Sequence, residues 1–444
     1  MEILYSYHRK LMLSVIALFV FLSVLRSDVF IDPSTFVICL SFFTSLALVY
    51  SQIGIEEEKC TKMRLFSVTF TYSFILVSVF LFYSYNVEGN TFLLSESDAR
   101  LYEKVVNKMF FLPYKESFEY LINNYKFDDW GGPLYMSSVF RIYPDKLFLN
   151  FVNTILTSVS SLFVFKIGAQ LMSRKYAYLS AVAYATSSFM VFFNGSFLKE
   201  SAFAFFVILL INSIYNYVNE ERKLSILYIL LYSLILLLFR PAVVACIICG
   251  FSVYYFVRKG YGVYKLGLLF LVFLSLLYLY SSLVSIFNHY TLSGDIAKLM
   301  LTKETKYGLT REMTYILNWF GSFFGPFPSI LGSNMTSCFY GSGLLYKFLL
   351  LPFAIIGLIN VVKVRIDYMF PLLVFFVLES FFAALVQKGM ELRLTLPHIF
   401  IYYLFAFWAM EKVEIGELRI NRWIENAFFV LSFIFVLCFN VLRQ

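Results

Sequence analysis

The sequence predicts an all-α fold: a polytopic transmembrane helical bundle of about thirteen spans, forming a single integral membrane domain over residues 1–444. Three observations carry this: composition, the length of the apolar runs, and an uneven spread of Lys and Arg between the short loops. Of the 444 residues, 60% are hydrophobic and 14% charged, against about 45–50% apolar and about 25% charged in soluble chains. Phe (54) and Tyr (33), with Trp, bring aromatics to 20%, and mean hydropathy is +0.76. So much apolar surface exceeds what one core can hide, which excludes a water-soluble enzyme.

The runs fall at about 11–25, 34–53, 65–85, 147–165, 176–193, 201–218, 224–239, 241–257, 266–287, 341–362, 368–386, 396–412 and 423–442. Most match the roughly 20 residues a spanning helix needs. The first follows a basic start, like a signal peptide, but no small-residue cleavage site follows it. Trp319 to Leu331 is apolar but broken by Gly321, Gly325, Pro326 and Pro328, which suits an interfacial or re-entrant segment. One set of short loops holds seventeen Lys or Arg, among them Lys59, Arg64, Arg174, Lys175, Arg258 and Lys412. The other set holds five: Arg26, Lys199, Arg240, Lys388 and Arg393. The positive-inside rule places the basic set in the cytoplasm, with the N-terminus inside. The net charge of +8 is then mostly a topology signal and needs no nucleic-acid partner. Both long loops, about 86–146 and 288–340, fall on the outer side, so any chemistry is expected there. The six cysteines are scattered through apolar runs and show no disulfide framework.

Within the first long loop, Ser95-Glu96-Ser97-Asp98-Ala99-Arg100-Leu101-Tyr102 is the most informative stretch. On a helix, Glu96 and Asp98 diverge by about 200°, so only one can face a site. A carboxylate beside a hydrophobic wall can act as general base for a sugar hydroxyl. The same Asp98, or Ser97, can equally cap the amphipathic helix that starts there. Amphipathic stretches run from Tyr102 to Leu112 and from Phe118 to Tyr125. Lys199, in the tight turn Asn194-Gly195-Ser196-Phe197-Leu198-Lys199-Glu200, sits where a phosphate-bearing lipid would place its headgroup. It can otherwise snorkel beside Glu200. Arg240-Pro241 divides two apolar runs, and an arginine binds phosphate bidentately or anchors the interface. Lys388 to His398 adds two cations and a histidine at the mouth of a span, and the second long loop adds Arg311.

Asp128-Asp129-Trp130-Gly131-Gly132-Pro133 reads as a turn, or as a place for a divalent ion or, through Trp130, a sugar ring. Glu379 lies inside a span, where a carboxyl is costly and is either hydrogen-bonded or part of a proton relay. Cys246-x-x-Cys249 has no His near it, and no P-loop, dinucleotide fingerprint or paired-histidine zinc helix occurs.

Taken in order, these features resemble a known class. A carboxylate opening the first outer loop, a cytoplasmic Arg-Lys, the outer turn Phe-Leu-Lys-Glu and a late outer Arg before Leu-Pro are similar to the GT-C class of membrane glycosyltransferases that use polyprenyl-linked sugars. The likeness is more particularly to the Wzy-type O-antigen polymerases of surface-polysaccharide and lipopolysaccharide biosynthesis. Leu147 to Leu210 carries most of it, with Ser97-Asp98-Ala99 and Gly389 to Pro397 beside it. The resemblance implies Asp98 as catalytic acid/base with Glu96 as its substitute. It implies Lys199, Arg240, Arg393, Arg311 and Lys388 as holders of the lipid (pyro)phosphate, and Tyr102, Trp130 and His398 as substrate contacts. The implied partners are an undecaprenyl-pyrophosphate-linked glycan, membrane lipid and a chain-length regulator protein. No metal site or other cofactor is required, although a divalent cation can be accommodated. Two features depart from the pattern: three spans precede the acidic loop where the class has one, and no large C-terminal soluble domain follows. The expectation is a polymerase of lipid-linked repeat units on the periplasmic side of a bacterial inner membrane. The alternatives are a GT-C transferase adding a single sugar and a lipid-linked oligosaccharide flippase, for which Glu379 and Lys166 speak.

Overall fold

A computed structural model describes residues 2–25, 33–89, 96–124, 130–220, 222–258, 345–364, 368–386, 395–419 and 422–442. Regular structure among the described residues is all helical. The chain divides into two compact units. One comprises residues 1–241, 327–359 and 399–444, the other 242–326 and 360–398.

The first unit begins with α1 (Glu2–Leu25), α2 (Pro33–Ile53) and α3 (Lys62–Glu88). The side chain of Thr61 accepts from the Arg64 amide at the start of α3, and Gly89 ends it in the left-handed conformation at φ 67°, where glycine carries no Cβ penalty. Three shorter helices follow: α4 (Glu96–Phe110), α5 (Tyr114–Asn124) and α6 (Gly131–Ile142). Then come α7 (Lys146–Gly168), capped by Asp145 on the Leu147 amide at 2.6 Å, α8 (Arg174–Thr186), α9 (Ser188–Gly195), α10 (Glu200–Glu220) and α11 (Leu224–Phe239). Arg240 is extended at φ −160°, ψ 97°, as a residue before proline prefers. Pro241 then opens α12 (Pro241–Arg258) at the first helical position, where its missing N–H costs nothing. The chain continues with α13 (Leu351–Val364), α14 (Phe370–Val386), α15 (Ile399–Glu414) and α16 (Arg422–Leu442).

Three described helices have the length and apolar composition to cross a membrane: Lys62–Asn86 in α3, Lys146–Gly168 (α7) and Glu200–Asn219 in α10. Helices α8 and α9, bent by 46° at Ser187, make a fourth if the pair is one span. That break falls inside the expected run 176–193, and Ser187 recaps the chain by accepting from the Met190 amide. The expected run 266–287 and the second long loop lie outside the described residues.

In the first unit α8, α9 and α15 are buried almost all round, which places them at its centre. Helix α7 packs on α8, α10 and α3, and α15 packs on α8. Gly357 of α13 lets α15 approach so closely that an added Cβ would stand 2.6 Å from the Phe405 carbonyl oxygen. Peripheral helices turn apolar side chains outward, including Phe82 at 73%, Leu227 at 60% and Leu431 at 65% exposure. Helix α7 does the reverse and buries Asn150, Asn153, Thr154, Thr157, Ser158 and Ser161. Apolar outside with polar inside is the arrangement lipid favours. In the second unit, Gly250 of α12 meets the backbone of α14, with an added Cβ 2.9 Å from the Pro371 carbonyl oxygen.

Candidate functional site

Helices α4 and α6 of the first long loop pack on each other and onto the start of α7. Ala99, Val106, Met136, Val139, Phe140, Leu149 and Phe197 form the shared core, with Tyr102 and Tyr135 packed against it. Helix α4 already begins at Glu96, so Ser97 and Asp98 lie in its first turn rather than before it. A carboxylate there complements the helix dipole. Asp98 is half-buried, and Tyr102 stands one turn further along the same face. The Glu96 side chain lies outside the described residues.

Lys199 is 5% exposed. It does not snorkel to water: its ammonium lies 6.0 Å from the centre of the Tyr102 ring, and its stem lies against Gly132, where a Cβ would be 3.0 Å from Lys199 Cδ and 3.4 Å from Tyr102 Cε1. The neighbouring Gly131 does the same for Phe239, whose ring would be 2.5 Å from an added Cβ. Phe239 stacks on Phe203 at 5.9 Å, and the Arg240 guanidinium stands over that Phe203 ring at 5.1 Å. The start of α6 therefore ties Lys199 on one side to the Phe239–Arg240 corner on the other. This brings together Tyr102, Lys199 and Arg240, with Asp98 one turn from Tyr102. It is an arrangement with a point-charge cation, a fork-shaped cation and a carboxylate, which suits an anionic headgroup and a proton acceptor.

Trp130 lies next to this group in sequence, immediately before Gly131, but packs the other way. Its ring meets Phe118 edge-on at 5.4 Å, at the margin of the Val105–Met109–Leu121 cluster. A cleft of about 490 Å³ opens beside it, lined in part by Met109, Tyr114, Phe118 and Arg141. Arg141 is committed there, donating to the Met109 and Leu112 carbonyls and to Ser117 Oγ at 3.1, 2.7 and 2.9 Å.

Arg311, Lys388 and Arg393 lie outside the described residues. His398 belongs to the second unit. It directly precedes α15 and is fully buried, with Nδ1 hydrogen-bonded to Glu379 Oε2, Phe376 edge-on at 4.7 Å and Nε2 without a partner. The carboxyl that the sequence sets inside a span thus finds an imidazole. Among the described residues no cluster of three His, Cys, Asp or Glu is placed to hold a metal ion.

The expectations from sequence missed three features. One is the Gly131-Gly132 contact plate, which resembles an ordinary turn. Another is the burial of Glu200, at 2% exposure, with Oε2 lacking a hydrogen-bond partner. The third is the polar face of α7, whose Asn153 Oδ1 accepts from the Tyr135 hydroxyl at 2.6 Å. Burial pushes the Tyr135 phenol well above its ordinary value, which keeps it a donor. The α7 face was legible in principle, because Asn150, Asn153, Thr154, Thr157, Ser158 and Ser161 recur at helical spacing. No protein-family model, curated protein or solved structure matches this chain.

Proposed function

We propose that the chain is a multi-span membrane glycosyltransferase of about thirteen spans. It polymerises undecaprenyl-pyrophosphate-linked oligosaccharide repeat units at the periplasmic face of a bacterial inner membrane, with its N-terminus in the cytoplasm. The observation that carries the reading is Lys199. The residue is 5% exposed and its ammonium lies against the Tyr102 ring, and Tyr102 stands one helical turn from Asp98 on α4, so a cation and a carboxylate-bearing helix turn flank one aromatic ring.

In this reading Asp98 takes the proton of an acceptor sugar hydroxyl as that oxygen attacks the anomeric carbon of the donor glycan. The carbon–oxygen bond to pyrophosphate breaks, and the leaving group departs with the electron pair. Lys199 and Arg240 neutralise the charge that builds there. Pyrophosphate leaves readily, so neither a general acid nor a metal is needed for its departure. A chain-length regulator protein would set when elongation stops.

Asp98→Asn and Lys199→Ala are expected to leave the protein inserted in the membrane while long glycan chains disappear from cells. Normal ladders in both variants would remove the site assignment. A single-sugar GT-C transferase would extend its acceptor by one step only. A second reading, a lipid-linked oligosaccharide flippase, is favoured by the buried Glu379–His398 pair of the second unit, and it predicts no new glycosidic bond from purified protein.

A further inference from the structure

A closed circuit of contacts begins and ends at Lys199. Its stem rests on Gly132 of α6. One turn along α6, the Tyr135 hydroxyl donates to Asn153 Oδ1 on α7 at 2.6 Å. One turn along α7, the Thr157 hydroxyl donates to Asn194 Oδ1 in α9 at 2.6 Å, and Ser201, two residues from Lys199, donates to the same oxygen at 2.9 Å. Asn153 and Asn194 are fully buried and Glu200 is 2% exposed. Each still has a polar atom without a hydrogen-bond partner: Asn153 Nδ2, Asn194 Nδ2 and Glu200 Oε2, with Asn150 Oδ1 one turn below Asn153. Turning either amide end for end exchanges which atom is left over and does not remove it. Buried polar groups are almost always paired, so several unmatched atoms in one circuit indicate a missing polar ligand.

The chemistry of the unmatched atoms narrows that ligand. The amide N–H groups of Asn153 and Asn194 call for an acceptor, while the Glu200 carboxylate oxygen and Asn150 Oδ1 call for a donor. A group that both donates and accepts meets all of these, and a sugar, with its hydroxyls, is such a group. We infer that this circuit is a carbohydrate-binding site that holds the first sugar of a prenyl-linked glycan. Asn153, Asn194 and Glu200 take its hydroxyl and acetamido groups, and Lys199 takes the adjoining phosphate. The prenyl-linked source rests on the glycosyltransferase reading, whereas the sugar contacts rest on the circuit itself.

The test measures binding of two lipids to the full chain in nanodiscs: undecaprenyl diphosphate, and undecaprenyl diphosphate bearing N-acetylglucosamine. The wild-type protein is expected to bind the sugar-bearing lipid about tenfold tighter, because several buried groups gain partners. Asn153→Leu and Asn194→Leu should abolish that preference while bare-lipid binding persists. The isosteric Glu200→Gln should reduce it about threefold, through loss of a charge-assisted bond, and this conservative change keeps the test valid if a leucine variant fails to fold. Equal affinities in the wild type would mean that the circuit holds water only and would overturn the inference. An undiminished preference in the folded variants would place the sugar elsewhere and overturn it as well. Failure of bare undecaprenyl diphosphate to bind would instead sink the glycosyltransferase reading, and with it this inference.

Discussion

Gly131 and Gly132 differ in what a methyl group would meet. At Gly131 it would press on Phe239, which is held in place by its stack on Phe203. Gly131→Ala is therefore expected to cost about 1–3 kcal/mol, as overpacking does, and to lower the melting temperature in detergent. At Gly132 the nearest atoms belong to the flexible Lys199 stem. Gly132→Ala should leave the melting temperature within a degree or two of wild type, roughly what under 0.5 kcal/mol produces, yet displace the ammonium and shorten glycan chains. Similar melting losses in both variants would contradict this picture of α6. Lys199 and Arg240 stand out in the sequence because cations are scarce on that side of the predicted topology. Their link does not, since it passes through two glycines with no side chain to mark them. Glu200 likewise reads as a simple salt-bridge neighbour, and only tertiary packing shows that its Oε2 has no partner.

At the scale of elements, close helix approach carries much of the packing. Gly357 admits the α15 backbone to within 2.6 Å of where a Cβ would lie. A carbonyl oxygen in a helix cannot swing aside as a side chain can, so Gly357→Val must push α13 and α15 apart. The expected loss is about 1–3 kcal/mol, read as a lower melting temperature and faster proteolysis. An unchanged melting curve would mean that the two helices slide freely. The helices themselves were largely legible as apolar runs. Amphipathic α4 and α5 were also legible, although α4 starts six residues earlier than its hydrophobic periodicity alone suggests, because Glu96 to Arg100 are too polar to signal it. The break between α8 and α9 was hidden: a hydropathy scan sees one continuous run, and Ser187, which ends one helix and caps the next, is an unremarkable residue in such a scan.

For the whole molecule, composition alone points to lipid, and the exposed apolar side chains of α3, α11 and α16 around the buried polar face of α7 agree with it. Three described helices meet the requirements of a span by themselves, and the bent α8–α9 pair makes a fourth if it is one span, while the thirteen spans and the cytoplasmic N-terminus belong to the proposal. Function was less legible than fold, because it depends on which scattered polar residues meet. The structure brings Tyr102, Lys199 and Arg240 to the start of α6, near Asp98, and seats His398 with Glu379 in the second unit. The most direct test is reconstitution of the purified chain in liposomes with an undecaprenyl-pyrophosphate-linked oligosaccharide, with products resolved by size. A ladder of multiples from the wild type, absent with Lys199→Ala, is the predicted result. A wild-type protein that forms no new glycosidic bond, or a Lys199→Ala variant that yields the same ladder, would contradict it.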